Sequence, residues 1–292
     1  MKNFGSNSEY GKLTSILLHK PGVEIDNYPD PSKILHLRSI DQHAIESEFD
    51  AAVKLFKSLG VEVNMIDPTP LDGDIGYLYN MMYCRDLFFM TPHGAIMANM
   101  ANDIRVGEPL YAEHSLRKLG VPILHTVSGS GRFEGADALW LKEDVVVVGV
   151  GNRTNTDGYS QIRAILAKQG VECLSVQSSQ MVTQHLLGSI QIVDTSLALV
   201  RHAIIAPEII SFLEWHGFTV VNIPDNPEVS TRQAMNIVTV APRTIIMTDG
   251  CPETKMLYQK SGLNVVAELE LTQLINGAGG LACATSVIGR TV

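Results

Sequence analysis

Five times along the chain a helix-like segment runs into a glycine and a β-type segment follows: LFKSLGVEVNMI, SLRKLGVPILHT, ILAKQGVECLSV, FLEWHGFTVVNI and LYQKSGLNVVAE. The glycines are Gly60, Gly120, Gly170, Gly217 and Gly262, spaced by 60, 50, 47 and 45 residues. Glycine can take the left-handed conformation that ends a helix, and a Lys or Arg in the last turn suits the negative end of the helix dipole. The alternating residues that follow fit a strand. The pattern predicts helices over 41–59, 110–119, 157–169, 206–216 and 253–261, with further strands at TSILLH, DLFFMT, AIMANM, VVVVGVG, IQIVD, LALV, IVTVAP and TIIMTD. Each unit thus holds several short strands and one helix. No unit of this size buries its apolar face alone, so the five are expected to pack together. A closed ring of five α/β modules is the expected architecture, with an open α/β sheet as the alternative. No long linker or low-complexity stretch divides the chain, so one domain over 1–292 is expected.

Hydrophobic residues make up 45% and charged ones 18%, a balance that allows a substantial core and argues against global disorder. The net charge of −9 argues against nucleic acid, whose binding rests on neutralising phosphates with Lys and Arg. An acidic surface weakly favours encounter with a cationic small molecule. No apolar run reaches the roughly 18 residues that a membrane span needs, and the opening MKNFGSNSEYGK lacks a secretory apolar stretch. A cytoplasmic protein with no membrane partner is expected. Whether it is a homo-oligomer is left open by the sequence.

Cys84, Cys173, Cys251 and Cys283 show no CxxC spacing and no His-rich cluster, so neither a zinc site nor, in a reducing compartment, a disulfide is expected. Cys173 follows the period of a strand and should be packed. Cys251, in DGCPE, should lie exposed in a turn. Cys283 follows the glycine run of GAGGLACATS, in a loop that leads into the last strand.

In a ring of modules the strand ends converge on the axis, so a functional site should draw polar residues from different units. YNMMYCRDLFF places Asn80, Arg85 and Asp86 before an apolar strand, where Arg and Asp form either a structural ion pair or part of a site. FEGADALWL places Glu134 and Asp137 around Gly135, either a plain turn or the floor of a cation site. GVGNRTNTDG gives Arg153 in a polar loop opening a helix that Asn155 or Thr156 could cap, and QHLLGSIQIVD sets His185 before a strand, where a lone histidine is often structural. A cysteine nucleophile needs a thiolate, hence a cation or histidine to lower a pKa of about 8.5. Nearby carboxylates raise that pKa instead, and make sense if the substrate brings its own positive charge, such as a guanidinium. Arginines would then hold a far carboxylate by forked hydrogen bonds. The inventory fits a hydrolase of arginine or a relative, with no metal and no cofactor.

These segments resemble the guanidino-group-modifying superfamily of arginine deiminases, dimethylarginine hydrolases and amidinotransferases. The resemblance runs nearly end to end, through SEYGKLTSILLHKPGVE (8–24), NMMYCRD (80–86), IRVGE (104–108), FEGAD (133–137), GNRT (151–154), HL (185–186) and GGLAC (279–283), in family order. It implies the five-bladed α/β propeller, or pentein, fold. Carried over residue by residue, it implies Cys283 as nucleophile and His185 as its acid–base partner. Glu134 resembles the carboxylate that orients the histidine and contacts the substrate, and Asp86 the one that grips the guanidinium. Asn80, Arg105 and Arg153 match positions that bind the amino-acid end of arginine in deiminases, and Asp137 joins them as an expected substrate contact. The chain departs from the deiminases at Leu187, where they carry an Asp, and at Ala136, where they carry a Gly; its length also leaves no room for their helical insertion. The Leu187 departure leaves room for an alkylated guanidino nitrogen. The implied activity is hydrolysis to a ureido product, with an arginine dihydrolase, an amidinotransferase or a non-enzymatic ribosome anti-association factor as alternatives.

Overall fold

The computed structural model describes residues 4–25, 30–67, 78–177 and 183–291. These build five three-stranded sheets. The first pairs β1 (Lys12–Leu18) with β2 (Glu62–Met65) and with the chain's last strand, β15 (Ser286–Thr291). The second holds β3 (Phe88–Thr91), β4 (Gly94–Met97) and β5 (Ile123–Thr126), and the third β6 (Ala138–Lys142), β7 (Val145–Val150) and β8 (Glu172–Gln177). The fourth holds β9 (Ile190–Asp194), β10 (Leu197–Val200) and β11 (Thr219–Asn222), and the fifth β12 (Val238–Ala241), β13 (Thr244–Thr248) and β14 (Asn264–Leu269).

One rule of pairing repeats. With β15 counted as the first strand of its sheet, the first strand of each sheet runs antiparallel to the middle one, and the third runs parallel to it. A parallel return needs a crossover, and a helix supplies it in every sheet: α1 (Gln42–Ser58), α2 (Glu108–Lys118), α3 (Thr156–Ala167), α4 (Pro207–Trp215) and α6 (Pro252–Lys260). Among the described residues three further short α-helices occur, α5 (Pro227–Ser230), α7 (Thr272–Asn276) and α8 (Leu281–Ala284). The five crossover helices fall on the five predicted segments. Asn155 is the residue that caps α3, accepting from Gly158 N at 2.9 Å. The junction glycines Gly60, Gly120, Gly170, Gly217 and Gly262 have φ of +77, +75, +74, +86 and +84°, the left-handed region the repeat called for.

The first strands are buried almost throughout, whereas β2, β5, β11 and β14 are largely exposed or half-exposed. First strands therefore line the hub and third strands the rim of a five-bladed α/β propeller. The apolar clusters bridge neighbouring blades: Leu17, Met90, Met97 and Leu116 join the first and second, while Phe89, Ile96, Trp140 and Val146 join the second and third. No sheet completes its core by itself, in line with the packing argument from the repeat. Cys173 is buried as expected, but Cys251 is not exposed. It is fully buried against Tyr258 and Met247, and its thiol reaches Asp249 O at 3.4 Å, because the turn that carries it folds inward to start α6. Among the described residues no helix is long and apolar enough to cross a membrane.

Candidate active site

The residues just ahead of each first strand gather at one end of the hub. Asp86 stands two residues before β3, Asp137 directly before β6, His185 five before β9, Asn236 two before β12 and Cys283 three before β15. Tight helical turns over Cys84–Asp86, Gly135–Asp137, Leu186–Gly188 and α8 present four of these groups. A cavity of about 330 Å³ opens there, a size suited to a small molecule. Asn80, Asp86, Arg105, His185 and Cys283 all line it.

Cys283 sits in α8, and Asn236 holds it from both ends of one amide. Asn236 Oδ1 accepts from the backbone N–H of Ala282 at 2.7 Å and of Cys283 at 3.1 Å, and its Nδ2 donates to Cys283 Sγ at 2.9 Å. The preceding glycines allow this close approach. A Cβ on Gly279 would lie 2.3 Å from the Tyr83 ring, and one on Gly280 would lie 2.7 Å from the Asn236 side chain. Burial, then the charge of Asp86, push the Cys283 thiol up, while the bond from Asn236, the Gly280 backbone and Arg105 act in the opposite direction.

His185 Nε2 is 2.6 Å from Glu134 Oε2, and its Nδ1 is 3.7 Å from Asp86 Oδ1. Burial disfavours the imidazolium, but Asp86, the bond to Glu134 and Asp137 outweigh it and raise the histidine to about 9. Burial alone would raise Glu134, yet His185, Arg105 and Arg153 bring it down to about 2. At neutral pH the pair is therefore imidazolium and carboxylate.

Asp86 is buried, and only one of its oxygens has a hydrogen bond. Oδ2 accepts from Arg105 at 2.6 Å, while Oδ1 has no hydrogen-bond partner. Arg105 is committed within the protein: Nε donates to Glu108 at 2.9 Å, one terminal nitrogen to Asp86 and the other to the Asn80 carbonyl at 3.2 Å. Burial raises Glu108 to about 7 even with Arg105 beside it. Asn80 donates its amide to Ile34 O at 2.8 Å, fixing the segment that forms part of the cavity mouth.

Two of the expected substrate contacts do not reach the cavity wall. Asp137 is fully buried behind it, its Oδ2 accepting from Thr154 Oγ1 at 2.7 Å and its Oδ1 from the Leu186 backbone at 3.0 Å, so one oxygen ties the loop before α3 and the other the turn after His185. Arg153, partly exposed, donates at 2.6 Å to Gln184 on the wall and lies 3.6 Å from Glu134, without lining the cavity itself. Glu134 is likewise behind His185, so it can orient the imidazole but does not face the cavity. Arg85 and Asp86 do not pair with each other. Arg85 turns away to Glu9 at 3.2 Å and to Ala138 O at 3.1 Å. Asp86, Glu134 and His185 bring possible metal ligands within 4.8 Å of one another. The Arg105 guanidinium already supplies positive charge there, 2.6 Å from Asp86 and 3.8 Å from Glu134, which disfavours a metal cation. Asn236, Arg201 and Asp225 also line the cavity and were not singled out in the sequence.

The family model for arginine deiminase matches this chain over residues 74–185 and 176–290. A dimethylarginine dimethylaminohydrolase from Pseudomonas aeruginosa is 24% identical over 250 residues, covering 85% of this chain and 90% of that protein. An arginine deiminase from Streptococcus pneumoniae is 21% identical over 92% of this chain and 68% of its own length, and one from Borrelia recurrentis 28% identical over 40% and 28%. Among solved structures, the P. aeruginosa dimethylaminohydrolase complexed with citrulline superposes with a TM-score of 0.76 at 19% identity, covering 94% of this chain and 99% of that one. The inosamine-phosphate amidinotransferase from Streptomyces griseus does so with a TM-score of 0.77 at 16% identity, over 100% and 98%. The family match and the curated relatives place the chain among guanidino-modifying enzymes, and the solved structures share its fold. Within that superfamily the chain belongs to the arginine deiminase family.

Proposed function

We propose that residues 1–292 form one catalytic unit that hydrolyses a guanidino C–N bond of arginine or a substituted arginine, through a covalent Cys283 intermediate. The observation that carries this reading is Asp86 Oδ1, a buried carboxylate oxygen without a hydrogen-bond partner on the wall of the cavity that Cys283 also lines. A buried acceptor left open is costly, and a guanidinium N–H supplies the missing donor together with a compensating charge.

In this mechanism the bound guanidinium favours ionisation of the Cys283 thiol, whose proton leaves to solvent. The thiolate attacks the guanidino carbon and forms the C–S bond. His185, protonated and oriented by Glu134, gives its proton to the departing nitrogen as the C–N bond breaks. The amine or ammonia leaves, and an amidino-thioether remains. Neutral His185 then takes a proton from water, whose oxygen attacks the same carbon. The C–S bond breaks as the hydroxyl of the tetrahedral adduct gives its proton to solvent, and thiolate and a ureido product such as citrulline are released. Glu134 acts as the group that keeps His185 charged and aligned, and Asp86 as the guanidinium grip. The reaction needs no cofactor, and its reactive thiol suits a reducing, cytoplasmic setting.

The test is incubation with arginine, methylated arginines and agmatine, with and without glycine as an acceptor amine, followed by mass spectrometry. Wild type should give a ureido product and Cys283→Ser none. Equal turnover by the serine variant would remove Cys283 from the chemistry. Ornithine with ammonia and carbon dioxide would identify a dihydrolase, and a guanidinylated acceptor a transferase.

A further inference from the structure

We propose that Glu48, which does not line the cavity, is a positioning residue: it clamps the N-terminal end of α7, and through α7 it sets the glycine loop that presents Cys283. The role rests on Cys283 as the reacting group of the proposed hydrolysis. Glu48 lies on α1, the crossover helix of the first blade, and is 8% exposed. Its Oε1 accepts from the backbone N–H of Gln273 at 2.7 Å and its Oε2 from that of Leu274 at 3.0 Å, across 225 residues of chain. The first N–H groups of a helix find no partner inside it, so a buried carboxylate there supplies acceptors that the segment otherwise lacks.

α7 is held at three places. Glu48 takes its first turn, the Tyr83 hydroxyl donates to Leu274 O at 2.8 Å, and Asn276 O accepts from the backbone N–H of Leu37 at 2.8 Å and of Arg38 at 3.0 Å. The residues that follow at once, Gly277, Ala278 and Gly279, line the cavity, as does Leu37. Ala278 has φ +78°, a left-handed conformation that a residue with a Cβ adopts only under strain. Such strain persists only where the surroundings over-determine the backbone. The clamped helix does this from one side, and the bonds of Asn236 to Ala282 and Cys283 from the other. Without Glu48 the first anchor loosens, and the loop can relax and draw Cys283 from its place.

The anchor is made at a cost. Glu48 borders a void otherwise lined by apolar side chains, among them Phe49, Ala52, Leu271 and Leu274. Burial pushes its carboxyl up, the two N–H groups oppose this, and Glu270 and Asp249 push further, to about 7. A side chain kept there for packing alone would be apolar, since an acid in such a place is expensive unless its hydrogen bonds are needed.

The experiment uses the full chain at a pH between about 7 and 9, where Glu48 is ionised and His185 protonated. Wild type, Glu48→Leu, Glu48→Gln and Phe56→Leu are compared by amide hydrogen exchange and by steady-state kinetics with arginine and methylated arginines. Glu48→Leu keeps the bulk and loses the acceptors. Exchange over residues 272–285 should speed up about 10-fold or more, and kcat should fall about 10- to 100-fold, the scale for a misplaced reacting group. Glu48→Gln keeps an acceptor oxygen and should recover most of the lost kcat. Phe56 is fully buried two turns further along α1. Phe56→Leu should lower the melting temperature and leave kcat unchanged below the transition, which separates positioning from general loss of stability. If Glu48→Leu does not fold, Glu48→Asp, whose shorter side chain draws the acceptors back from α7, takes its place. Full kcat in that variant, a loss in Glu48→Gln equal to it, or exchange indifferent to residue 48 would overturn the positioning role alone. Exchange that responds to Glu48 in a protein that turns over none of the guanidino compounds would overturn the hydrolase and leave the loop anchor.

Discussion

Asn236 bonds three atoms of the segment that carries Cys283, including the sulfur itself. Since burial and Asp86 push the thiol up and the Asn236 amide acts the other way, Asn236→Ala should raise the Cys283 pKa further. The pH dependence of iodoacetamide alkylation reads this directly, and its midpoint should move to higher pH; an unmoved midpoint would make Asn236 a purely structural residue. His185 is raised to about 9 from an ordinary 6.5, so its folded form holds a proton that the unfolded chain gives up earlier. Its contribution to stability is therefore complete below about 6.5 and is lost as pH rises through about 9. As the acid in the first step, it should also set the alkaline limb of the rate profile. Glu134→Gln removes a bond and a charge that hold the proton, so that limb should shift to lower pH in a profile of kcat. His185→Ala should lower kcat by about 10²- to 10⁴-fold, the range for a general acid–base group. Cys283, His185, Glu134 and Asp86 were legible because their short motifs survive in order. Asn236 and Arg201 were not, since an Asn or an Arg beside a strand is ordinary and its partner lies 47 or 24 residues away. A signal for Asn236 was nevertheless present. It precedes β12 by two residues, as Asp86 precedes β3, so aligning the repeats would have marked the position.

At the scale of elements, the helix–glycine–strand junction is the unit that the sequence displays most clearly. All five are left-handed because the chain must leave a helix and enter the rim strand beside it, a reversal that a residue with a Cβ makes only under strain. Gly170 is a clean place to measure that strain, since an added Cβ there meets nothing within 4 Å. Gly170→Ala should destabilise by about 1–2 kcal/mol through the backbone alone, and Gly170→Asn by less, as read by urea unfolding. Gly279 tests the opposite case: its φ is ordinary, but a Cβ would lie 2.3 Å from the Tyr83 ring. Tyr83 is anchored by its hydroxyl to Leu274 O at 2.8 Å, so the glycine loop must give way, and Cys283 lies four residues on. Gly279→Ala should therefore lower kcat far more than it lowers the melting temperature. What the sequence concealed at this scale were the three-residue helical turns before β3, β6 and β9. They are too short to show a period, and they rotate adjacent side chains to different sides. Arg85 and Asp86, neighbours in the chain, consequently face different partners.

For the whole molecule, the arrangement of the sheets explains why a pentamer of small units is held by one chain. Four sheets take all three strands from one continuous stretch. The first borrows its hub strand from the far end, β15 lying antiparallel to β1 from Lys12↔Thr291 to Leu17↔Ser286. That pairing closes the ring, as β15 also touches β3 of the second sheet and β1 touches β12 of the fifth. Closure and chemistry are then the same event, for Cys283 enters the cavity only when Ala284 and Thr285 after it lead into β15. Ile288 is 2% exposed and packs in the cluster that joins the first two blades. Ile288→Ala should cost about 2–5 kcal/mol, the range for deleting a buried branched side chain. Because the loss falls on the seam, it should lower the single unfolding transition of all five blades together, seen as coincident far-ultraviolet circular dichroism and tryptophan fluorescence curves. Two separated transitions would mean that the first blade opens independently, and that the hub is not a cooperative unit.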